Sequence, residues 1–149
     1  MTADTIPVRE DEQLDTERVA AFLRDKLPGS EQALTVRQFG GGAANLTYHL
    51  DYGSHEYVLR RPPLGPVAPS AHDMARESKV LSALWRAYPY APRSFLFCAD
   101  ESIVGAPFFV MERRHGVVVR TQVPDVYTAI PDAPRRMSEA LVDALADLH

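Results

Sequence analysis

Five residues of this chain stand where they could do chemistry. Gly40, Gly41 and Gly42 lie in a row, Arg60 follows at the end of an apolar stretch, and Glu77 falls among apolar positions further on. Consecutive glycines leave the backbone bare, so N–H groups can approach an anion closely. A phosphate chain is the usual anion for such a loop, and Arg60 is the cation to meet it. The stretch also reads as a β-meander with a flexible turn, and glycines alone do not decide between the two. It is not a dinucleotide fingerprint, because the glycines are consecutive and a strand, not a helix, follows them. It is not a Walker A loop, because no Gly-Lys-Ser/Thr occurs and the lysines are only Lys26 and Lys79.

The elements that must position these residues can be read from periodicity. Leu34 to Phe39, Leu46 to Tyr52 and His55 to Arg60 alternate as strands, with the glycines in the first turn and Gly53-Ser54 in the second. Strand alternation sends only one of Arg60 and Arg61 toward any given face. Upstream, residues 1–13 are polar, acidic and aperiodic and are expected to be a loose lead-in. Asp15 or Thr16 caps a helix to about Leu27, stopped by Pro28-Gly29. Downstream of a stiff proline-rich loop, Ser70 with Asp73 resembles a capping box and opens a helix to about Tyr88. Met74, Leu81, Leu84 and Tyr88 share a face of it, and Glu77 falls between Met74 and Leu81. A carboxylate buried there needs a partner; at the edge of the face it is solvated, or paired with Arg76 or Arg113. Ser94 to Cys98 and Pro107 to Met111 are two further strands, the second apolar enough to be covered on both sides. Asp132 caps a last helix from about Ala133 to His149, with Met137, Leu141, Leu145 and Leu148 along one side.

Composition excludes several classes. A length of 149 residues makes one domain's worth of chain, and 46% hydrophobic with 24% charged residues is that of a soluble globular protein. A net charge of −4 argues against binding nucleic acid through a basic surface. The single cysteine, Cys98, excludes an intrachain disulfide or a cysteine-based zinc site and fits a reducing, cytoplasmic setting. No signal peptide, membrane span or internal repeat is evident.

The order of elements resembles the N-lobe of the protein-kinase-like fold. At residue level the chain resembles the aminoglycoside phosphotransferase and choline-kinase-like family, in particular the kinase-like domains related to those fused to some acyl-CoA dehydrogenases. Three motifs carry the likeness: Gly40-Gly41-Gly42-Ala43-Ala44-Asn45-Leu46-Thr47-Tyr48 as the phosphate loop, Tyr57-Val58-Leu59-Arg60-Arg61-Pro62-Pro63 as the third strand and turn, and Phe108-Phe109-Val110-Met111-Glu112-Arg113 closed by Gly116 as the hinge. The resemblance implies an α+β fold, a five-stranded antiparallel sheet with one packed helix, an N-terminal helix and the first helix of a truncated C-lobe. It implies boundaries of 14–115 for the nucleotide-binding lobe and 116–149 for the linker and first C-lobe helix.

The resemblance also implies roles. Gly40, Gly41, Gly42, Ala43 and Asn45 would lie over the triphosphate of ATP or GTP. Arg60 would hold the α- and β-phosphates in place of the usual lysine, paired with Glu77. Met111 would lie behind the base, with the Glu112 carbonyl and the Arg114 amide bonding to it. The family's catalytic aspartate and its Mg²⁺-holding asparagine and aspartate have no match. Asn45 is the only asparagine, and His49-Leu50-Asp51, the one His-x-Asp, falls inside a strand. The reading is therefore a nucleotide-binding lobe of a phosphotransferase for a small hydroxylated acceptor, expected to be inactive alone because no catalytic residue is assigned in it. A non-catalytic nucleotide- or protein-binding module is the alternative. The apolar stripe of the last helix is expected to bring self-association or a partner that supplies the C-lobe.

Overall fold

The computed structural model describes residues 4–149 except residues 42–43, 67, 69–70 and 120. They form two compact units, Met1–Arg113 and Arg114–His149.

The first unit is built on an antiparallel sheet whose strands lie in the order β1 (Thr5–Ile6), β2 (Thr35–Phe39), β3 (Leu46–Asp51), β4 (Glu56–Arg61), β6 (Phe108–Glu112) and β5 (Ser94–Cys98). Strands β2 (Thr35–Phe39), β3 (Leu46–Asp51) and β4 (Glu56–Arg61) form the expected meander. Gly53 makes the β3–β4 turn with φ +82°, a left-handed backbone that other L-residues rarely adopt, and its N–H donates to Asp51 Oδ1 at 2.7 Å. Strands β5 (Ser94–Cys98) and β6 (Phe108–Glu112) complete the other side, β6 lying between β4 and β5. Phe108, Phe109 and Val110 are wholly buried, as their unbroken apolar run requires.

The sheet has six strands rather than five, because the lead-in is not loose. Thr5–Ile6 forms β1 and pairs with β2, Thr5 opposite Phe39. Polar side chains hold it, which is why no apolar period announced it. Arg37 donates from Nε to Thr5 Oγ1 and from Nη2 to the Thr5 carbonyl, both at 2.9 Å. A 3₁₀ turn at Glu10–Glu12 follows. Buried Gln38 accepts from the Arg9 N–H at 3.1 Å and donates to the Glu12 carboxylate. That amide, with Arg9 beside it, holds the Glu12 carboxyl below its usual range.

A helix covers each face of the sheet. Helix α1 (Thr16–Leu23) is capped by Asp15, whose Oδ1 accepts from the Arg18 N–H at 3.0 Å. It ends at Leu23, short of the expected Leu27, because Arg24 turns extended and Asp25 takes φ +63°. Val19, Leu23 and Leu27 nevertheless join one core with Tyr48, Leu50, Leu59, Phe108 and Val110. Helix α2 (Met74–Leu84) packs on the opposite face over β5 and β6, where Ser78 Oγ and Ser94 Oγ stand 2.8 Å apart. Asp73 itself is the cap, accepting from the Arg76 N–H at 2.9 Å, so the helix opens at Met74 and not at Ser70, which lies outside the described residues.

Two tyrosines pack edge to face inside the core, Tyr52 and Tyr57, with ring centroids 6.2 Å apart. Burial first, then the neighbouring Tyr57, push the Tyr52 phenol from 10.0 up to about 12. A raised folded pKa keeps the ring neutral where the unfolded chain would ionise. Its stabilisation is complete below about pH 10 and is lost as pH rises toward 12. Urea midpoints should hold through neutral pH and fall from about pH 10 upward. Tyr52→Phe should flatten part of that fall; an unchanged slope in the variant would disprove the assignment.

The second unit carries a 3₁₀ turn at Asp125–Tyr127 and helix α3 (Ala133–Leu148). Asp132 stands at the cap position with φ +55°, but its side chain makes no capping bond. Within this unit a cleft beside α3 is lined by Val119, Tyr127, Ile130, Ala133 and Met137. Leu141, Leu145 and Leu148 lie exposed along the helix. No helix among the described residues is long and apolar enough to cross a membrane.

Candidate functional site

Arg60 sits near the end of β4, opposite Thr47 of β3 and Phe109 of β6. Alternation puts its side chain on the α2 face, and Arg60 Nε lies 3.4 Å from Glu77 Oε2 in the first turn of that helix. Both side chains are about a third exposed, at 35% and 32%, so the pair is open to solvent on one side. Glu77 is thus partnered by the strand and not by Arg76 or Arg113. Arg61, one residue on, points the other way and is buried: it donates to the Tyr48 hydroxyl at 2.9 Å and to the carbonyls of Val104 and Glu12.

Asn45 completes the cluster. A guanidinium carries donors only, so the carboxamide must turn its oxygen to it. In that orientation Asn45 Oδ1 accepts from Arg60 Nε at 3.0 Å and Nη2 at 2.8 Å, while its amino group donates to His72 Nδ1 at 2.5 Å and the Ala44 carbonyl at 3.3 Å. Asn45 is 8% exposed, so these bonds fix it. Arg60 Nη1 meets no partner among the described residues. The guanidinium is therefore gripped along one edge and open along the other. Its planar fork suits a phosphate oxygen pair.

The remaining predicted positions fall as follows. Gly40 and Gly41 follow β2, and Gly40 lies against β1: a Cβ there would stand 3.3 Å from Ile6 Cγ2. Gly42 and Ala43 lie outside the described residues. Met111 pairs with Val58 and so shares the sheet face of Arg60; it is half-buried. Glu112 is tied to the residue just before β5, its N–H donating to the Arg93 carbonyl at 2.8 Å and its Oε2 accepting from the Arg93 N–H at 3.1 Å. Arg114 opens the second unit and is exposed. The structure thus brings together Asn45, Arg60 and Glu77. His49 and Asp51, the formal His-x-Asp, hold the fold: His49 Nε2 lies 2.7 Å from Glu56 Oε2, and Asp51 accepts in the Gly53 turn.

One residue beside the site, His72, escaped sequence reasoning, and another, Arg113, has partners other than the expected Glu77. His72, in a left-handed backbone at φ +58°, touches Asn45. Arg113 lies over the Phe39 ring at 5.0 Å and pairs with Asp4 at 2.9 Å and Glu56 at 3.2 Å. Neither has a local signal: each is defined by a partner distant in sequence.

Among the described residues no group of three or more His, Cys, Asp or Glu is placed to hold a metal ion, and no step is assigned to one here. What the cluster offers is a fixed positive charge beside a glycine turn.

Residues 35–149 match the phosphotransferase enzyme family. The chain is 37% identical over its whole length to acyl-CoA dehydrogenase family member 11 of Rattus norvegicus, and spans 19% of that protein. It is 29% identical, over 98% of its length, to acyl-CoA dehydrogenase family member 10 of Mus musculus, spanning 14% of it. Among solved structures it is similar to a candidate aminoglycoside phosphotransferase of Ralstonia eutropha, with a TM-score of 0.60 and 30% identity, over 72% of this chain and 30% of that one. With a family match across residues 35–149, the chain belongs to the phosphotransferase enzyme family.

Proposed function

We propose that this chain binds the phosphates of ATP, or alternatively GTP, and serves as the nucleotide-binding lobe of an enzyme that phosphorylates a small hydroxylated molecule. Residues 14–115 form that lobe in this reading, and 116–149 the linker and first helix of a second lobe. The observation that supports it best is the Arg60–Glu77 pair at 3.4 Å, with the Asn45 oxygen on the same guanidinium beside the glycine turn. The open edge of Arg60 takes the α- and β-phosphates, and the backbone after β2 covers the chain beyond them. Met111 and the Glu112 carbonyl face the base, with the Arg114 amide as the second bond to it.

In the reaction the acceptor oxygen forms a bond to the γ-phosphorus while the bond to the bridging oxygen breaks, releasing the nucleoside diphosphate and the hydroxyl proton. Mg²⁺, when bound, would supply charge neutralisation at the phosphates, and no cluster among the described residues is placed to hold it. Positioning and charge neutralisation supply most of the catalysis in such a transfer. The residues described here supply one cation and a loop, so this chain by itself should bind and not transfer. Titration calorimetry should give dissociation constants of roughly 0.1–1 mM for ATP, with no product from a hydroxyl acceptor. Absence of binding at several times that concentration, or turnover that Arg60→Ala abolishes, would count against the proposal.

A further inference from the structure

We infer that His72 is a positioning residue of this site, its unprotonated Nδ1 holding the Asn45 carboxamide in the one orientation that presents oxygen to Arg60. The inference rests on the reading of Arg60 as the phosphate-facing cation. It comes from hydrogen-bond logic. Asn45 has two orientations related by a half-turn of its amide. With the oxygen on His72, the amino group would face Arg60 Nε and Nη2, donor against donor. With the oxygen on Arg60, the amino group faces His72 Nδ1 at 2.5 Å, which must then accept. An accepting Nδ1 leaves the ring proton on Nε2.

The geometry closes a ring. His72 lies in the residues just before α2, directly ahead of the Asp73 cap, and Glu77 lies in the first turn of the same helix. Arg60 is held from both: by Glu77 on Nε, and by His72 through Asn45 on Nε and Nη2. Only Nη1 is left to turn outward. Asn45, the residue just before β3, thus joins that strand to the helix start. His72 takes a left-handed backbone, φ +58°. Asn, Asp and His are the non-glycine residues most often found there.

Two substitutions separate the accepting atom from the backbone. His72→Asn tolerates the left-handed conformation and puts Oδ1 the same number of bonds from Cα as the imidazole Nδ1. His72→Gly tolerates it and removes the acceptor. Without nucleotide, ¹⁵N NMR of the full chain reads the His72 tautomer and the exchange of the Arg60 Nε–H. The wild type should show the proton on Nε2 and a protected Arg60 Nε–H. His72→Gly should speed that exchange about tenfold, and His72→Asn should restore it. ATP titration should follow the same order. A wild-type ring protonated on Nδ1 overturns the inference whether or not the variants fold. So does His72→Asn behaving like His72→Gly, or His72→Gly leaving exchange unchanged. If exchange follows the expected order and the wild type binds no ATP, the positioning of Arg60 stands and the nucleotide reading fails.

Discussion

Replacing Arg61 with alanine should lower the stability of the first unit by about 3–5 kcal/mol, a large share of what holds a small domain together. Arg61 is 4% exposed and pairs with no carboxylate at contact distance among the described residues. Its role is to satisfy oxygens. Nε and Nη2 donate to the Tyr48 hydroxyl at 3.3 and 2.9 Å, Nη2 reaches the Glu12 carbonyl at 3.5 Å, and Nη1 donates to the Val104 carbonyl. The Tyr48 hydroxyl in turn donates to the Glu12 carbonyl at 2.7 Å. One side chain therefore ties β4 to β3, to the N-terminal 3₁₀ turn and to the β5–β6 connection. Alanine strips a buried carbonyl of its donor and leaves a cavity beside Tyr48. Lysine has a single ammonium and cannot reach all three groups, so it should recover little. Arg61→Met should recover the packing part only. Urea unfolding of the three variants checks this; an alanine variant within about 0.5 kcal/mol of the parent would falsify the account.

The second large effect is on binding. Arg60→Ala should weaken ATP binding by about ten- to a hundredfold, the loss of one charge-assisted contact of ~1.5–3 kcal/mol. Its effect on folding should be small. The Arg60–Glu77 pair is a third exposed on each side, and pairs of that kind are worth about 0–1 kcal/mol. The adjacent arginines thus separate cleanly, Arg61→Ala acting on the unfolding midpoint and Arg60→Ala on the titration. Arg60→Lys keeps the charge but loses the fork that meets Asn45 and Glu77 together, and should fall between. Calorimetry at constant ionic strength measures all three. Equal affinities for parent and Arg60→Ala would remove Arg60 from the site and point to Arg61 or to another group.

Much of this arrangement was legible because it follows local rules. Alternation along β4 separates Arg60 from Arg61, and helical spacing puts Glu77 on the face where Met74 is buried. The β3–β4 turn was readable at Gly53, and the covered strand at Phe108 to Val110. What could not be read depends on partners far away in the chain. Arg113 closes on Asp4 across a separation of 109 residues, and no window around either predicts the other. His72 matters only because Asn45 arrives beside it. β1 was missed because its two residues are held by Arg37 and not by an apolar pattern. The helix ends shifted where the backbone took left-handed turns, at Asp25 after α1 and at His72 before α2, which composition does not encode.

The way β1 is fastened has a kinetic consequence. Strands β3 and β4 meet through a tight turn, and closing so short a loop is fast. Thr5 and Ile6 must instead find β2 across the length of α1, and Asp4 must find Arg113 after nearly the whole first unit has been laid down. Both contacts are non-local and small, so they should form late and open early. The Ile6 amide should exchange with solvent well before those of Tyr48 or Leu59. Because Ile6 is packed against Gly40, each such opening also uncovers the base of the glycine turn. The exposure of Gly40 is then governed from the amino-terminal end of the chain.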